Sequence, residues 1–381
     1  MRYYIIAGEA SGDLHGSNLV RELKKLDQDA EIRCWGGELM MAAGATVVKD
    51  YRELAFMGFL EVILNIRTIF RNLRFCKKDI ATFRPDVLIL VDYPGFNLRI
   101  AEWSRQQGIK TVYYISPQVW AWKESRVKQI KQTVDKMLVI LPFEEEFYRK
   151  WDFPVEYVGH PLVEVVDKEL GNMTTINDGS PLNEPNIIAI LPGSRIQEIT
   201  KKLPVMLAVT RLFPNNTFIV AMASSLPDEF YERHLRIYPK VRSVRDKTYT
   251  LLKQSKAAIV TSGTATLETA LFAVPQVVCY KGSAISYQIA KRLVKVRFIS
   301  LVNLIMNREV VKELIQDELT VSNLKNELDK IIHDKLKRKQ ILEEYNLLKQ
   351  LLRKGGNASA NAARSVYELI KPFTAGKKIP V

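Results

Sequence analysis

Ser262-Gly263-Thr264-Ala265-Thr266-Leu267-Glu268 follows an apolar run, Ala257 to Val260, and opens onto a helical pattern. A strand that turns into a helix through small hydroxyl residues and a glycine is the outline of an anion site. Backbone N–H groups can approach the anion closely, the helix N-terminus adds partial positive charge, and a carboxylate one turn in can reach sugar hydroxyls. Ser262, Gly263, Thr264 and Thr266 are therefore read as phosphate-facing and Glu268 as a partner for ribose hydroxyls. Upstream, another apolar run, Ile187 to Leu191, leads into Pro192-Gly193-Ser194-Arg195. Arg195 offers a planar fork of donors suited to a diphosphate, next to Gly193 and Ser194. Two anion-competent turns within one alternating strand and helix segment point to an open α/β sheet, which collects ligands beyond the carboxyl ends of its strands.

The same alternation extends to the rest of the chain. Strands are expected at Tyr3 to Ala7, Glu31 to Cys34, Val87 to Val91, Thr111 to Ile115 and Lys136 to Ile140, with a helix from Leu14 to Leu26 and a mixed apolar and basic helical region up to Thr82. This is a parallel, doubly wound pattern. Gly171 to Glu184, rich in Asn, Thr, Gly and Pro, reads as a linker. A second unit continues through Ile187 to Leu191, Thr217 to Ala221, Ala257 to Val260 and Gln276 to Cys279, and turns helical beyond Val310. Lys335 to Lys354 has helical spacing, Gly355-Gly356-Asn357 breaks it, and Ala358 to Ile370 is a final helix. The expected fold class is α/β, two Rossmann-like doubly wound domains facing a cleft. Residues 1–172 and 185–345 form the domains, and a helical tail, 346–381, packs back on the first.

With 381 residues, 47% hydrophobic and 26% charged, the chain has the make-up of a globular enzyme. Cys34, Cys76 and Cys279 show no paired spacing and four histidines are scattered, which argues against a disulfide framework or a metal site. Asp27-Gln28-Asp29 reads as a solvated turn rather than a metal clamp, so neither metal nor cofactor is expected. No apolar run reaches the roughly 18 residues of a membrane span, and the first one is too short for a secretory leader, so a cytoplasmic protein is expected. A net charge of +14 calls for an anionic partner. Arg67, Arg71, Arg74, Lys77 and Lys78 follow Phe56-Met57-Gly58-Phe59-Leu60, and Lys281, Lys291, Arg292, Lys295 and Arg297 interleave with Ile285, Ile289, Leu293 and Val294. Apolar and basic residues mixed at helical spacing fit a membrane interface better than a nucleic-acid groove.

The first half also carries chemistry at strand ends. Gly8-Glu9-Ala10-Ser11-Gly12-Asp13-Leu14-His15-Gly16 sets Glu9, Asp13 and His15 after the first strand, without the spacing of a nicotinamide fingerprint. Asp92 opens Asp92-Tyr93-Pro94-Gly95-Phe96-Asn97 after another, where a carboxylate can act as a general base. In Ser116-Pro117-Gln118-Val119-Trp120-Ala121-Trp122, the two tryptophans beside Lys123 and Arg126 could hold an amphipathic ligand or form core.

Taken together, these motifs resemble the lipid-A-disaccharide synthase family over nearly the whole chain. Met57-Gly58 with Glu61-Val62, Ala290-Lys291-Arg292-Leu293-Val294-Lys295 and Leu301-Val302-Asn303-Leu304 extend the likeness. It implies the GT-B glycosyltransferase architecture, a UDP-2,3-diacylglucosamine donor, a 2,3-diacylglucosamine 1-phosphate acceptor, and a β-1,6-linked disaccharide with UDP as products. It further implies peripheral association with the inner membrane, assigns Asn303 to the donor site, and leaves a homodimer open. The chain departs from a family variant, Asp-x-Pro-Asp-Phe-Asn, in having Gly95 at the second Asp. Asp92, Glu9, Asp13 and His15 thus compete for the role of base. Rival readings are another GT-B enzyme, such as a UDP-N-acetylglucosamine 2-epimerase or a peptidoglycan-type lipid glycosyltransferase, and a basic protein that binds membrane or RNA.

Overall fold

Val87–Val91, the sequence VLILV, is buried at every residue. An uninterrupted β-branched and aliphatic run of this length is what a strand covered on both faces requires. In the computed structural model it is β4 of a seven-stranded sheet, with β1 Arg2–Ala7, β2 Glu31–Gly36, β3 Thr46–Asp50, β5 Lys110–Tyr114, β6 Lys136–Val139 and β7 Glu156–Tyr157. The order is β3-β2-β1-β4-β5-β6-β7 and every pairing is parallel. The described residues are 1–54, 66–122, 124–171, 184, 186–283, 287 and 296–371.

Strand periodicity sends successive residues to opposite faces. Tyr4, Ile6, Leu88 and Leu90 therefore join one core with Leu73, Cys76 and Ile80 of the helix Ile66–Phe83 and with Phe96 and Ile100 of the helix Pro94–Gln106. Tyr3, Ile5, Val87 and Ile89 join the other, against Leu19, Val20 and Leu23 of the helix Ala10–Leu26. The C-terminal helix, Ala358–Ile370, completes this second core with Ala362, Ala363 and Val366. Asn357 caps it by accepting the Ala360 N–H at 2.7 Å, and Asn361 ties it to the Val158 carbonyl at 3.1 Å. Residues Met1–Pro161 and Arg353–Val381 accordingly form one unit, and Leu162–Leu352 a second.

The second unit has six parallel strands, β8 Ile187–Leu191, β9 Thr217–Met222, β10 Arg242–Arg245, β11 Ser255–Thr261, β12 Gln276–Tyr280 and β13 Lys312–Ile315. Their order is β10-β9-β8-β11-β12-β13. The α/β class and the two doubly wound sheets agree with the sequence. Three local expectations are corrected. The first helix begins at Ala10 rather than Leu14, so Ser11 and Asp13 ride on it with His15 instead of lying in the loop before it. Lys312–Ile315 is an edge strand in the region expected to be helical, and β3, β7 and β10, short and largely polar, had no apolar run to announce them. The linker residues 172–183, the apolar run Phe56, Met57, Phe59 and Leu60, and residues 288–295 lie outside the described residues. Among the described residues no helix is long and apolar enough to cross a membrane.

Candidate active site

Both sheets reverse direction of winding once. In the first the reversal lies between β1 and β4, in the second between β8 and β11. Neighbouring connections leave to opposite sides at such a point and open a crevice at the strands' carboxyl ends. The predicted motifs sit at these two places.

At the first, Ala7 pairs with Val91, so Glu9 and Asp92 emerge from adjacent strand ends. Burial, then the Glu9 charge, push the Asp92 carboxyl up to about 7, partly opposed by the Tyr93 amide N–H. The turn is strained: Asp92 and Tyr93 have φ of 44° and 49°, left-handed values that non-glycine residues rarely adopt. It is held by its own neighbours. The Asp92 carbonyl accepts from Tyr113 Oη at 2.6 Å and from Asn97 Nδ2 at 2.8 Å. The Tyr93 ring lies over Gly8, where a Cβ would come within 2.3 Å of it.

His15 is buried, its Nδ1 has no hydrogen-bond partner, and burial lowers it to about 4. Its neighbour His160 is lowered further, to about 3, by burial and by His15. A proton acceptor works best when its pKa lies near the working pH, which ranks Asp92 above His15 at neutrality. Asp13 is occupied elsewhere. Its carboxylate accepts the N–H groups of Gly37 at 2.8 Å, Leu39 at 3.2 Å and Met40 at 3.1 Å, capping the short helix Glu38–Ala42.

At the second reversal the Gly193 turn and the Ser262 turn are neighbours, because Leu191 pairs with Val260. Gly193 has φ of 108°, a value favouring glycine, and a Cβ there would lie 3.2 Å from both the Glu198 carboxylate and the Thr261 methyl. Ser194 is exposed and Arg195 begins the helix Ile196–Thr210 with its side chain 54% exposed, Nη1 3.4 Å from Glu198 Oε1. Gly263 and Thr264 are exposed at the start of the helix Thr264–Leu271, with Ser262 half-buried before them. Glu268 accepts from Tyr249 Oη at 2.9 Å, and burial raises its pKa. These groups can offer amides and a guanidinium to a diphosphate and a carboxylate to a ribose.

Several predicted residues do something else. Thr266 is fully buried and its hydroxyl donates to the Gly263 carbonyl at 2.8 Å, so it shapes the turn rather than facing a ligand. Asn303 has no exposed surface, and its amide is saturated. Nδ2 donates to the Val311 carbonyl and to Glu313 Oε1, both at 2.8 Å, while Oδ1 accepts from Val310 at 2.8 Å and Val311 at 3.0 Å. All four hydrogen-bonding positions of the side chain are used, which leaves none for a donor. Trp120 is core: Nε1 donates to buried Glu144 at 3.2 Å and the ring meets Phe143 edge-on. The Trp122 side chain lies outside the described residues. Arg67 and Arg71 are exposed on the helix Ile66–Phe83. Among the described residues no three His, Cys, Asp or Glu side chains gather as a metal-holding group.

A family model described as lipid-A-disaccharide synthetase matches residues 3–367. The lipid-A-disaccharide synthase of Geobacter metallireducens is 39% identical over 374 residues, covering 97% of both chains. The chain belongs to the lipid-A-disaccharide synthase family. Lipid-A-disaccharide synthase 1 of Legionella pneumophila is 37% identical over 97% of this chain and 96% of its own. Membership makes the protein a hexosyltransferase of lipid A biosynthesis, in a family that takes a UDP-sugar donor and a lipid acceptor. Solved structures share the fold at low identity. The UDP-GlcNAc 2-epimerase from Neisseria meningitidis bound to UDP-GlcNAc superposes with a TM-score of 0.69 at 13% identity, covering 97% of this chain and all of that one. The glycotransferase of kitacinnamycin gives 0.65 at 13% identity, over 97% and 99%.

One residue of the second switch point escaped the sequence reading. Lys202 is 1% exposed, and its Nζ donates to Thr261 Oγ1 and reaches Glu198 Oε2 at 3.5 Å. The only signal was its helical spacing of four from Glu198, which reads equally well as an ordinary surface ion pair.

Proposed function

We propose that the protein transfers 2,3-diacylglucosamine from UDP-2,3-diacylglucosamine to the 6-hydroxyl of 2,3-diacylglucosamine 1-phosphate, with inversion, giving the β-1,6-linked disaccharide 1-phosphate and UDP. The observation that carries this reading is the Glu9 and Asp92 pair at one switch point of a family member, with Asp92 held near neutrality. Asp92 takes the proton from the acceptor hydroxyl as its oxygen bonds to the anomeric carbon. The electron pair of the breaking C–O bond leaves with UDP. Arg195 and the amides of the 193–195 and 262–264 turns offset charge on the departing diphosphate, and Glu268 binds ribose. Fixed donors of this kind can do the work of a metal ion.

Acyl chains and phosphate on both substrates fit a protein of net charge +14 working at the inner-membrane surface from the cytoplasm. Arg67, Arg71 and Arg74, exposed beside exposed Phe70 and Phe75, would face the lipid headgroups. The test is an assay with both acylated substrates that separates disaccharide from UDP, repeated in chelator. Disaccharide formed in chelator supports the reading. Epimerisation of UDP-N-acetylglucosamine without transfer of the acylated donor would replace it.

A further inference from the structure

Glu198 stands between two cations. Oε1 is 3.4 Å from Arg195 Nη1, and Oε2 is 3.5 Å from Lys202 Nζ. The two cations differ in access, since the Arg195 side chain is half exposed whereas that of Lys202 is 2% exposed. Lys202 is also fixed from below by Thr261, the last residue of β11, immediately before the Ser262 turn. A buried ammonium needs a fixed negative partner, and here the carboxylate within reach is Glu198. Both contacts are long, so Glu198 is shared between the two cations and closes tightly on neither, and the half-exposed guanidinium is weakly held at the mouth of the Gly193 turn.

We infer that Lys202 is a positioning residue for the donor diphosphate: by engaging Glu198 from inside the fold, it keeps that carboxylate from closing on Arg195 and leaves the guanidinium free for phosphate. With Lys202 in place the trio carries net +1. Without it, Glu198 and Arg195 form a neutral pair that an incoming diphosphate must open. The inference deepens the donor-site reading and rests on it. It is not a contact between Lys202 and substrate.

Burial lowers the Lys202 pKa, so the effect has a pH signature. Deprotonation frees Glu198 for Arg195, and diphosphate affinity falls on the alkaline side. The other titratable groups around Lys202 and Glu198 are Cys279, pushed up to about 12, and Tyr280, raised above its ordinary value.

UDP binding by calorimetry tests this. Lys202→Met is expected to weaken UDP about tenfold and to lose the alkaline decline. Glu198→Gln, a change at a partly exposed position that leaves the fold intact, is expected to bind UDP at least as tightly as the parent and likewise without the decline. Adding Glu198→Gln to Lys202→Met should restore the affinity that Lys202→Met lost, which a purely structural lysine would not allow. Unchanged affinity in Lys202→Met, weaker binding in Glu198→Gln, or a double variant no better than Lys202→Met overturns the inference. Failure of the parent protein to bind UDP would instead remove the donor-site reading beneath it.

Discussion

Replacing Asp92 by Asn separates catalysis from stability in opposite directions. The side chain keeps its size and an oxygen that can still accept from the Tyr93 amide, and the strained turn keeps the bonds that Tyr113 and Asn97 make to the Asp92 carbonyl. Basicity is lost. A positioned general base contributes roughly 10²- to 10⁴-fold, so kcat should fall by that factor while UDP still binds. Stability should move the other way. The native protein raises Asp92 from 3.8 to about 7, so between those values the folded state holds a proton that the unfolded state has released. Stability then declines as pH rises through this window, and the ionised carboxylate is a burden above it. At about 1.4 kcal/mol per unit the limit is about 4 kcal/mol, which solvent around a partly exposed group cuts to about 1–2 kcal/mol. Asp92→Asn should therefore melt higher than the parent at pH 8 and show no such gain at pH 4. The parent's kcat should rise with pH through about 7. An active Asp92→Asn enzyme refutes the assignment of the base, and a variant that melts lower at pH 8 refutes the electrostatic argument.

Arg195→Ala and Glu268→Ala should each lower kcat/KM at least tenfold through the donor, since a hydrogen bond to a charged group is worth about 1.5–3 kcal/mol; steady-state kinetics at varied donor would show it. Because burial raises Glu268, donor use should begin to fail on acidification at a pH above the ordinary carboxylate range, a limb that Glu268→Gln lacks. Asn303→Ala should cost stability by about 2 kcal/mol or more, seen in thermal melting, with donor KM unchanged in the folded fraction, because its bonds join Leu301–Met306 to Val310 and Val311 and to Glu313 of β13. Replacing Arg67, Arg71 and Arg74 by Glu should release the protein from anionic vesicles at low salt, at about 1 kcal/mol per residue, in a sedimentation assay. Phe59→Ser with Leu60→Ser should weaken binding to neutral vesicles as well.

The sequence made the fold class legible where burial on both faces leaves an unbroken apolar run, as in Val87–Val91 and Ile187–Leu191. It also located Ala358–Ile370 to the residue, because Gly355-Gly356-Asn357 is both a break and a cap. Strand order was out of reach, since the pairing of β1 with β4 spans some eighty residues of chain and is settled by packing. Asn303, expected at the donor site, and Trp120, for which ligand and core were both open, are structural for one physical reason. Each has a buried carboxylate partner, Glu313 on the unforeseen strand β13 and Glu144 on the helix Glu144–Arg149. Polar residues without a visible partner look available for a ligand, and a partner supplied by tertiary structure is invisible in a motif.

The same reasoning runs in reverse at the first switch point. A Cβ at Gly95 would meet nothing within 4 Å, so the glycine is there without steric need, on an exposed first turn of the helix Pro94–Gln106. The family variant with a second Asp would set its carboxylate at that open position, where water stabilises the charge and little drives the pKa toward neutrality. Here the carboxylate that remains is Asp92, partly buried beside Glu9 and thereby lifted to about 7. Burial and a like charge would suit Asp92 to the proposed role of base at neutral pH, at a position that otherwise only opens a Pro-Gly turn. The backbone strain at Asp92 and Tyr93 accompanies that placement, with Tyr113, Asn97 and the flat surface of Gly8 beneath the Tyr93 ring holding the turn against relaxation.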